Sequence, residues 1–155
     1  MHFRIRGLPA EQFAPFFSMS DEALAAQGAV RRIADAREPG YPCRVSLSDS
    51  NPGDDLILLN YEHHAVASPY RMRFAIYVRA GDKMFDAVDT VPKQLRTRML
   101  AVRAFDAEGM MINHALVDGK EIESAIGRLL ADARAAYLHI HFASPGCYAA
   151  QVERA

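Results

Sequence analysis

The segment from Ala136 to Ala143 constrains the fold more than any other part of the sequence, because apolar and polar side chains alternate along it. The even positions carry Ala136, Leu138, Ile140 and Phe142, and the odd positions carry Tyr137, His139 and His141. A period of two predicts a β-strand with one face in a core and the other face outside it. The chain must therefore build a sheet that gathers a phenol and two imidazoles on one side.

Further segments follow the same period. Arg71–Arg79 alternates cationic and apolar positions, Cys43–Ser48 alternates apolar and polar ones, and Leu56–Tyr61 is apolar on both faces, as in a central strand. Leu100–Phe105 and Met110–Val117 flank a turn signal and predict a hairpin. Short strands are also predicted at Phe3–Leu8 and Cys147–Val152.

Helices are fewer than strands. We predict short helices at Glu11–Phe17, at Asp21–Gln27 with Ser20 as N-cap, and from Thr90 to Met99. The clearest helix follows Asp118, where apolar residues recur three and four apart, at Ile122, Ala125, Ile126, Leu129, Leu130 and Ala133. The expected fold is therefore α+β, with a mainly antiparallel sheet and two or three helices packed on one face.

Length and charge exclude several classes of protein. The chain has 155 residues, no linker-like segment and no repeat, so we expect one domain over residues 1–155. With 18 basic and 19 acidic residues its formal net charge is -1, too balanced for electrostatic binding to nucleic acid. No apolar run approaches the roughly 20 residues of a membrane span, and the N-terminus lacks a signal-peptide pattern. Two cysteines suit a reducing, cytoplasmic setting.

Five segments together resemble one protein family. They are Gly40–Leu47, Leu58–His63, Arg103–Met111, Tyr137–His141 and Pro145–Ala149. Their sequences are similar to those of the bacterial "domain of unknown function 1203" family, and the similarity covers nearly the whole chain. The resemblance implies a bacterial, cytoplasmic, one-domain protein, and it implies no activity and no catalytic residue.

His139 and His141 are the first candidates for chemistry. Two residues apart on a strand, they project from one face with Cα atoms roughly 6.5 to 7 Å apart, from which two imidazoles can share a metal. Further ligands would come from His63, His64, Glu62, His114 or Cys147. The alternative is a pair of half-exposed histidines that hydrogen-bond to polar neighbours. Because two candidates fall short of the usual three or four ligands, we expect no metal.

The two cysteines differ in their surroundings. Cys43 shares its predicted face with Val45 and Leu47, as a buried thiol would. Cys147 follows Pro145-Gly146 and comes within reach of the histidine strand if the two strands form a hairpin. Cys147 is therefore either an inert thiol or one half of a Cys/His nucleophilic site.

Arginines form the third group of candidates. Arg71 and Arg73 share a strand face with Tyr77, and Arg44 lies beside Ser46 on another strand. Guanidinium groups on a sheet can bind a carboxylate or phosphate through two parallel hydrogen bonds. The alternative is a solvated face with Asp and Glu partners.

These groups support three functional hypotheses. The first is a binding surface for an anionic or polar small molecule, formed by nine residues: Tyr137, His139, His141, His63, Glu62, Arg44, Arg71, Arg73 and Cys147. The second is an enzyme with a His-based metal site or a Cys147/His site, whose cofactor the sequence does not identify. The third is a structural role as a homodimer, since no helix is left to cover the polar face of the sheet and a second copy or long loops would have to shield it.

Overall fold

The computed structural model describes all 155 residues and contains nine β-strands and three α-helices. The strands are β1 (Phe3–Arg6), β2 (Val30–Ile33), β3 (Asp55–His64), β4 (Met72–Arg79), β5 (Asp86–Val88), β6 (Met99–Phe105), β7 (Met111–Asp118), β8 (Tyr137–Phe142) and β9 (Tyr148–Arg154). The helices are α1 (Asp21–Ala26), α2 (Lys93–Arg96) and α3 (Ile122–Leu130). No helix has the length and apolar character needed to cross a membrane.

The larger of two sheets has six strands in the order β5-β1-β9-β8-β6-β7, and every neighbouring pair is antiparallel. Helix α3 packs on one face of this sheet. Its buried stripe is Ile122, Ala125, Ile126, Leu129 and Leu130, whereas Ala133, the sixth residue that the spacing predicts, lies beyond the end of the helix and is exposed. This stripe joins Leu138, Ile140 and Phe142 of β8 in the main apolar core. The apolar side of β8 therefore faces α3, and its histidines face away.

The smaller sheet has the order β2-β3-β4 and is also antiparallel. It has a core of its own, in which Ile57 and Ile76 pack with Leu24 of α1 and with Phe13. It lies on the face of the larger sheet opposite α3, because the His63 ring of β3 stacks on the Tyr148 ring of β9, with centroids 5.0 Å apart. The protein has three layers: helix, large sheet and small sheet.

The predicted α+β class with a mainly antiparallel sheet is confirmed. The Ser20 hydroxyl caps α1 by accepting a hydrogen bond from the Ala23 amide at 3.2 Å. The helix predicted over Glu11–Phe17 is instead two 3₁₀ segments, Ala10–Gln12 and Ala14–Ser18. Pro15 explains the difference, because proline has no amide hydrogen and does not continue an α-helix.

The strand predicted at Cys43–Ser48 is wrong. Apart from isolated bridges near Cys43, this segment is a tight turn, and Leu47 has a φ of 52°. The alternation of faces does not extend through a turn, so Arg44 does not lie on a solvated strand face. It is 1% exposed, and Cys43 and Leu47 beside it are buried as well.

The polar face of β8 has a different cover from the expected one. We expected a second copy or long loops to shield it, and the chain's own smaller sheet lies there through β3. The sequence argument for a homodimer therefore loses its basis, and dimerisation stays a prediction.

Candidate functional site

Four histidines lie together where the two sheets meet. His139 and His141 come from β8 and are 3% and 1% exposed. His63 and His64 come from the end of β3. Neighbouring strand residues normally point to opposite faces, but the β3–β4 register shifts between Tyr61 and His64. The irregularity lets both histidines contact His139, at ring-centroid distances of 6.2 and 5.0 Å.

The imidazoles differ in how their nitrogens are used. His64 uses both: Nδ1 lies 2.8 Å from the Tyr70 carbonyl oxygen, and Nε2 lies 2.7 Å from the Tyr137 hydroxyl. The Nδ1 atom of His141 lies within hydrogen-bond distance of the Gly146 carbonyl oxygen, at 3.1 Å. The Nδ1 atom of His139 is buried and has no hydrogen-bond partner. An unpaired buried polar atom is costly, and the Nδ1 atom of His63 is buried without a partner as well.

Burial keeps three of these imidazoles neutral. It lowers the pKa of His63 to about 4, helped by the nearby charge of His64. It lowers the pKa of His141 to about 3, helped by Arg103. The pKa of His139 also lies well below its ordinary value, because of burial and of the imidazoles around it. At pH 7 each ring therefore carries one N–H donor and no charge.

Arg103 supplies the positive charge of this region. It lies on β6 directly opposite His139 of β8. The Arg103 side chain makes one weak hydrogen bond, from a guanidinium nitrogen to Met72 Sδ at 3.9 Å. No carboxylate forms an ion pair with Arg103. Burial without a counter-ion lowers the pKa of Arg103. The guanidinium remains charged at neutral pH, and nothing in the chain neutralises it.

These residues line an open cavity of about 440 Å³, here called the histidine cavity. Its polar lining is His63, His64, His114, His139, His141, Arg103 and Tyr70, and its apolar lining includes Met72, Met111, Phe105 and Leu116. No aspartate or glutamate lines it. A cavity with one unpaired cation, neutral N–H donors and no acidic group is chemically suited to an anion.

The metal-ion hypothesis is not favoured by the geometry. No group of three or more His, Cys, Asp or Glu residues is arranged to hold a metal ion. The ring centroids of His139 and His141 lie 6.4 Å apart, and His64 already uses both nitrogens. The residues present therefore fit a hydrogen-bonding site better than a ligand shell.

The structure brings part of the predicted site together. His63, His139 and His141 line the histidine cavity, and Tyr137 lies beside it as the hydrogen-bond partner of His64. Glu62 points elsewhere and holds Arg71 in an ion pair of 2.6 Å. The exposed Arg73 donates to the Asn60 side chain. Glu62, Arg71 and Arg73 thus lie on the outer surface of the small sheet, where Glu62 and Arg71 neutralise each other and Arg73 has a neutral amide as its partner.

Arg44 and Cys147 lie on the other side of Tyr148. A guanidinium nitrogen of Arg44 is 2.9 Å from Cys147 Sγ, and Arg44 Nε donates to the Tyr148 carbonyl oxygen at 2.8 Å. Both residues line a second cavity, away from the histidine cavity. The thiol therefore has a guanidinium as its neighbour, which is a different arrangement from a Cys/His nucleophilic pair.

The arginine that lines the histidine cavity is Arg103, which is not among the arginines of the predicted site. The predicted ones, Arg44, Arg71 and Arg73, lie elsewhere, and their role in binding stays a prediction. A signal existed, because Arg103 alternates with the apolar Leu100, Val102 and Ala104 in a predicted hairpin strand. What the sequence lacked was the pairing of β6 with β8, which sets Arg103 opposite His139.

Fold and site together define an α+β protein with two antiparallel sheets and an acid-free, histidine-rich cavity between them. The chain belongs to the family described as "Protein of unknown function (DUF1203)", whose sequence pattern matches residues 40–154. Comparison with curated proteins and with solved structures finds no significant match. The expected family membership is thus confirmed.

Proposed function

We propose that this protein binds a small organic anion in the histidine cavity. The observation that carries the proposal is Arg103, a half-buried cation without a counter-ion in a cavity that no acidic residue lines. Leaving such a charge unpaired is unfavourable, and a carboxylate or phosphate would pair with it through two parallel hydrogen bonds.

The neutral imidazoles determine how the anion is held. His139 lies opposite Arg103, and its unpartnered Nδ1 can take part in a hydrogen bond that the free protein does not make. Hydrogen bonds to a charged group are worth about 1.5 to 3 kcal/mol each. Arg103 provides the charge and the histidines provide direction, so the anion needs no protonated imidazole at pH 7.

The walls favour a ligand with an apolar body. Met72, Phe105 and Leu116 line the cavity, and Leu116 is 69% exposed. A volume of about 440 Å³ lies within the range of small-molecule sites. The ligand class is therefore a small carboxylate or phosphate whose other end is a ring or a branched chain.

Titration calorimetry at pH 7 with acetate, benzoate and phenyl phosphate tests the proposal on the wild type and on Arg103→Met. Benzoate or phenyl phosphate should bind more tightly than acetate. Loss of one charge-assisted hydrogen bond should weaken binding at the histidine cavity, followed by the methyl resonances of Met72 and Met111 that line it, by at least about tenfold in Arg103→Met.

The matched control is Arg71→Met, which removes an arginine already paired with Glu62 on the outer surface. This variant should bind like the wild type. Equal affinity in Arg103→Met and Arg71→Met, or no binding of any of the three anions to the wild type, would contradict the proposed function.

A further inference from the structure

The second cavity, on the far side of Tyr148, has its own chemistry. It measures about 700 Å³ and lies between the loop that contains Arg37 and Arg44, strand β4, and the turn after β8. Three arginines line it, Arg37, Arg44 and Arg98, and no aspartate or glutamate does. We call it the arginine cavity.

Charge is poorly balanced around this cavity. Arg44 is fully buried, and its partners are the Tyr148 and Pro42 carbonyl oxygens and Cys147 Sγ, none of which is a carboxylate. These partners use three of its five N–H donors. Arg98 is neutralised by Asp49, at 2.9 Å. Arg37 is exposed and forms no ion pair. Arg44 therefore has no acidic partner, and the exposed Arg37 has only the charge of Asp35 nearby, outside ion-pair distance.

Aromatic rings form much of the remaining wall. Tyr41 and Tyr77 contact each other with centroids 4.9 Å apart, and Phe142 and the 46% exposed Phe74 line the same space. The Arg37 guanidinium lies over the Tyr41 ring at 4.7 Å. Such a wall favours a flat ring, which can stack on aromatic side chains and on guanidinium planes.

We propose that the arginine cavity binds a planar aromatic molecule carrying a phosphate or a carboxylate. The anionic group pairs with the guanidinium charges of Arg37 and Arg44, and the ring packs against Tyr77 and the exposed Phe74, since Arg44 and Arg98 already lie over the Phe142 ring. This site is separate from the histidine cavity, and it binds whether or not that cavity is occupied.

Methionine methyl groups can report on the two cavities separately. Met99 lines the arginine cavity, whereas Met72 and Met111 line the histidine cavity. In the protein labelled with ¹³C-methyl methionine, phenyl phosphate and benzoate should shift the Met99 resonance in a saturable manner. The Met72 and Met111 resonances test the proposed function in the same spectra, so failure of one proposal is distinguishable from failure of the other.

Variants and partial ligands complete the test. Arg37→Ala should weaken the Met99 response at least fivefold, while Arg32→Ala, an exposed arginine outside the cavity, should leave it unchanged. Ala143→Phe should abolish it by filling the cavity. Inorganic phosphate has the anionic group without the ring, and benzyl alcohol has the ring without the charge. Each should bind at least tenfold more weakly than phenyl phosphate.

Three results would overturn this inference. The first is the absence of a saturable Met99 shift with both aromatic anions. The second is an Arg37→Ala response equal to that of Arg32→Ala, a criterion that stands even where Ala143→Phe does not fold. The third is equal affinity for inorganic phosphate and phenyl phosphate, which would remove the role of the aromatic wall.

Discussion

The buried histidines should make the protein lose stability as the pH falls from 7 to 5. Burial lowers the pKa of His63, His139 and His141 in the folded chain, while in the unfolded chain a histidine titrates near 6.5. Between these values the unfolded state binds more protons than the folded state. Acid therefore favours unfolding, and above about pH 7.5 this contribution vanishes.

The size of the effect follows from His141, which is 1% exposed. With a folded pKa of about 3, His141 stays neutral at pH 5, where its unfolded counterpart is almost fully protonated. In the unfolded chain the histidine pKa is about 6.5, so protonation at pH 5 stabilises the unfolded state by about 2 kcal/mol. His63 and His139 act in the same direction. At a urea m value of about 2 kcal/mol/M, His141 alone lowers the unfolding midpoint by about 1 M.

Urea unfolding at pH 7 and pH 5, followed by circular dichroism, measures this difference. In His141→Asn the loss of stability between the two pH values should be about 2 kcal/mol smaller than in the wild type, whatever the variant's absolute stability. His114→Asn, a change at an exposed position of strand β7, should keep the full loss. A His141→Asn protein with the wild-type pH dependence, or a wild type that gains stability in acid, would refute the reasoning.

Three further predictions concern the frame of the fold. Ile126→Ala removes a fully buried side chain of α3 and should cost about 2 to 5 kcal/mol in urea unfolding; a cost below 1 kcal/mol would contradict the core assignment. Gly127→Ala places a methyl group in open space within α3 and should stabilise the folded protein by up to about 1 kcal/mol in the same assay. In Gly119→Ala the new Cβ would lie 1.8 Å from the Leu95 carbonyl oxygen, so this variant should lose at least about 2 kcal/mol of stability. Ser20→Ala should cost about 1 kcal/mol by removing the cap of α1, and Ser124→Ala, outside any cap, is its control.

Local patterns predict most of the strands and the main helix, because in these elements buried and polar side chains alternate with the period of the strand or of the helix. Strand β8 and helix α3 have a buried face and a polar face in register with their sequence. The prediction fails at Cys43–Ser48, where the same alternation occurs inside a turn. A short alternating segment does not reveal whether its backbone continues straight, and this decides whether Arg44 is solvated or buried.

The candidate site is predicted only in part, for a related reason. The period places His139 and His141 on one face of β8, but the covering of that face depends on contacts between distant segments. His63 reaches them through a strand irregularity, and Arg103 through the pairing of β6 with β8. The alternation marks Arg103 as a polar position, but no local pattern shows that either residue meets the histidines of β8, because strand order and register are properties of the whole sheet.

The connection between β1 and β5 has a consequence for how this protein can vary. These two strands are hydrogen-bonded neighbours, and the Gly7 amide donates to the Phe85 carbonyl oxygen at 2.8 Å. The segment between these strands, which includes the small sheet, leaves the large sheet after β1 and returns to it at the neighbouring strand β5. This inserted segment contributes one wall of each cavity, and the large sheet contributes the other. Substitutions within this inserted segment can therefore change the shape and charge of both cavities while the order of the six strands is preserved.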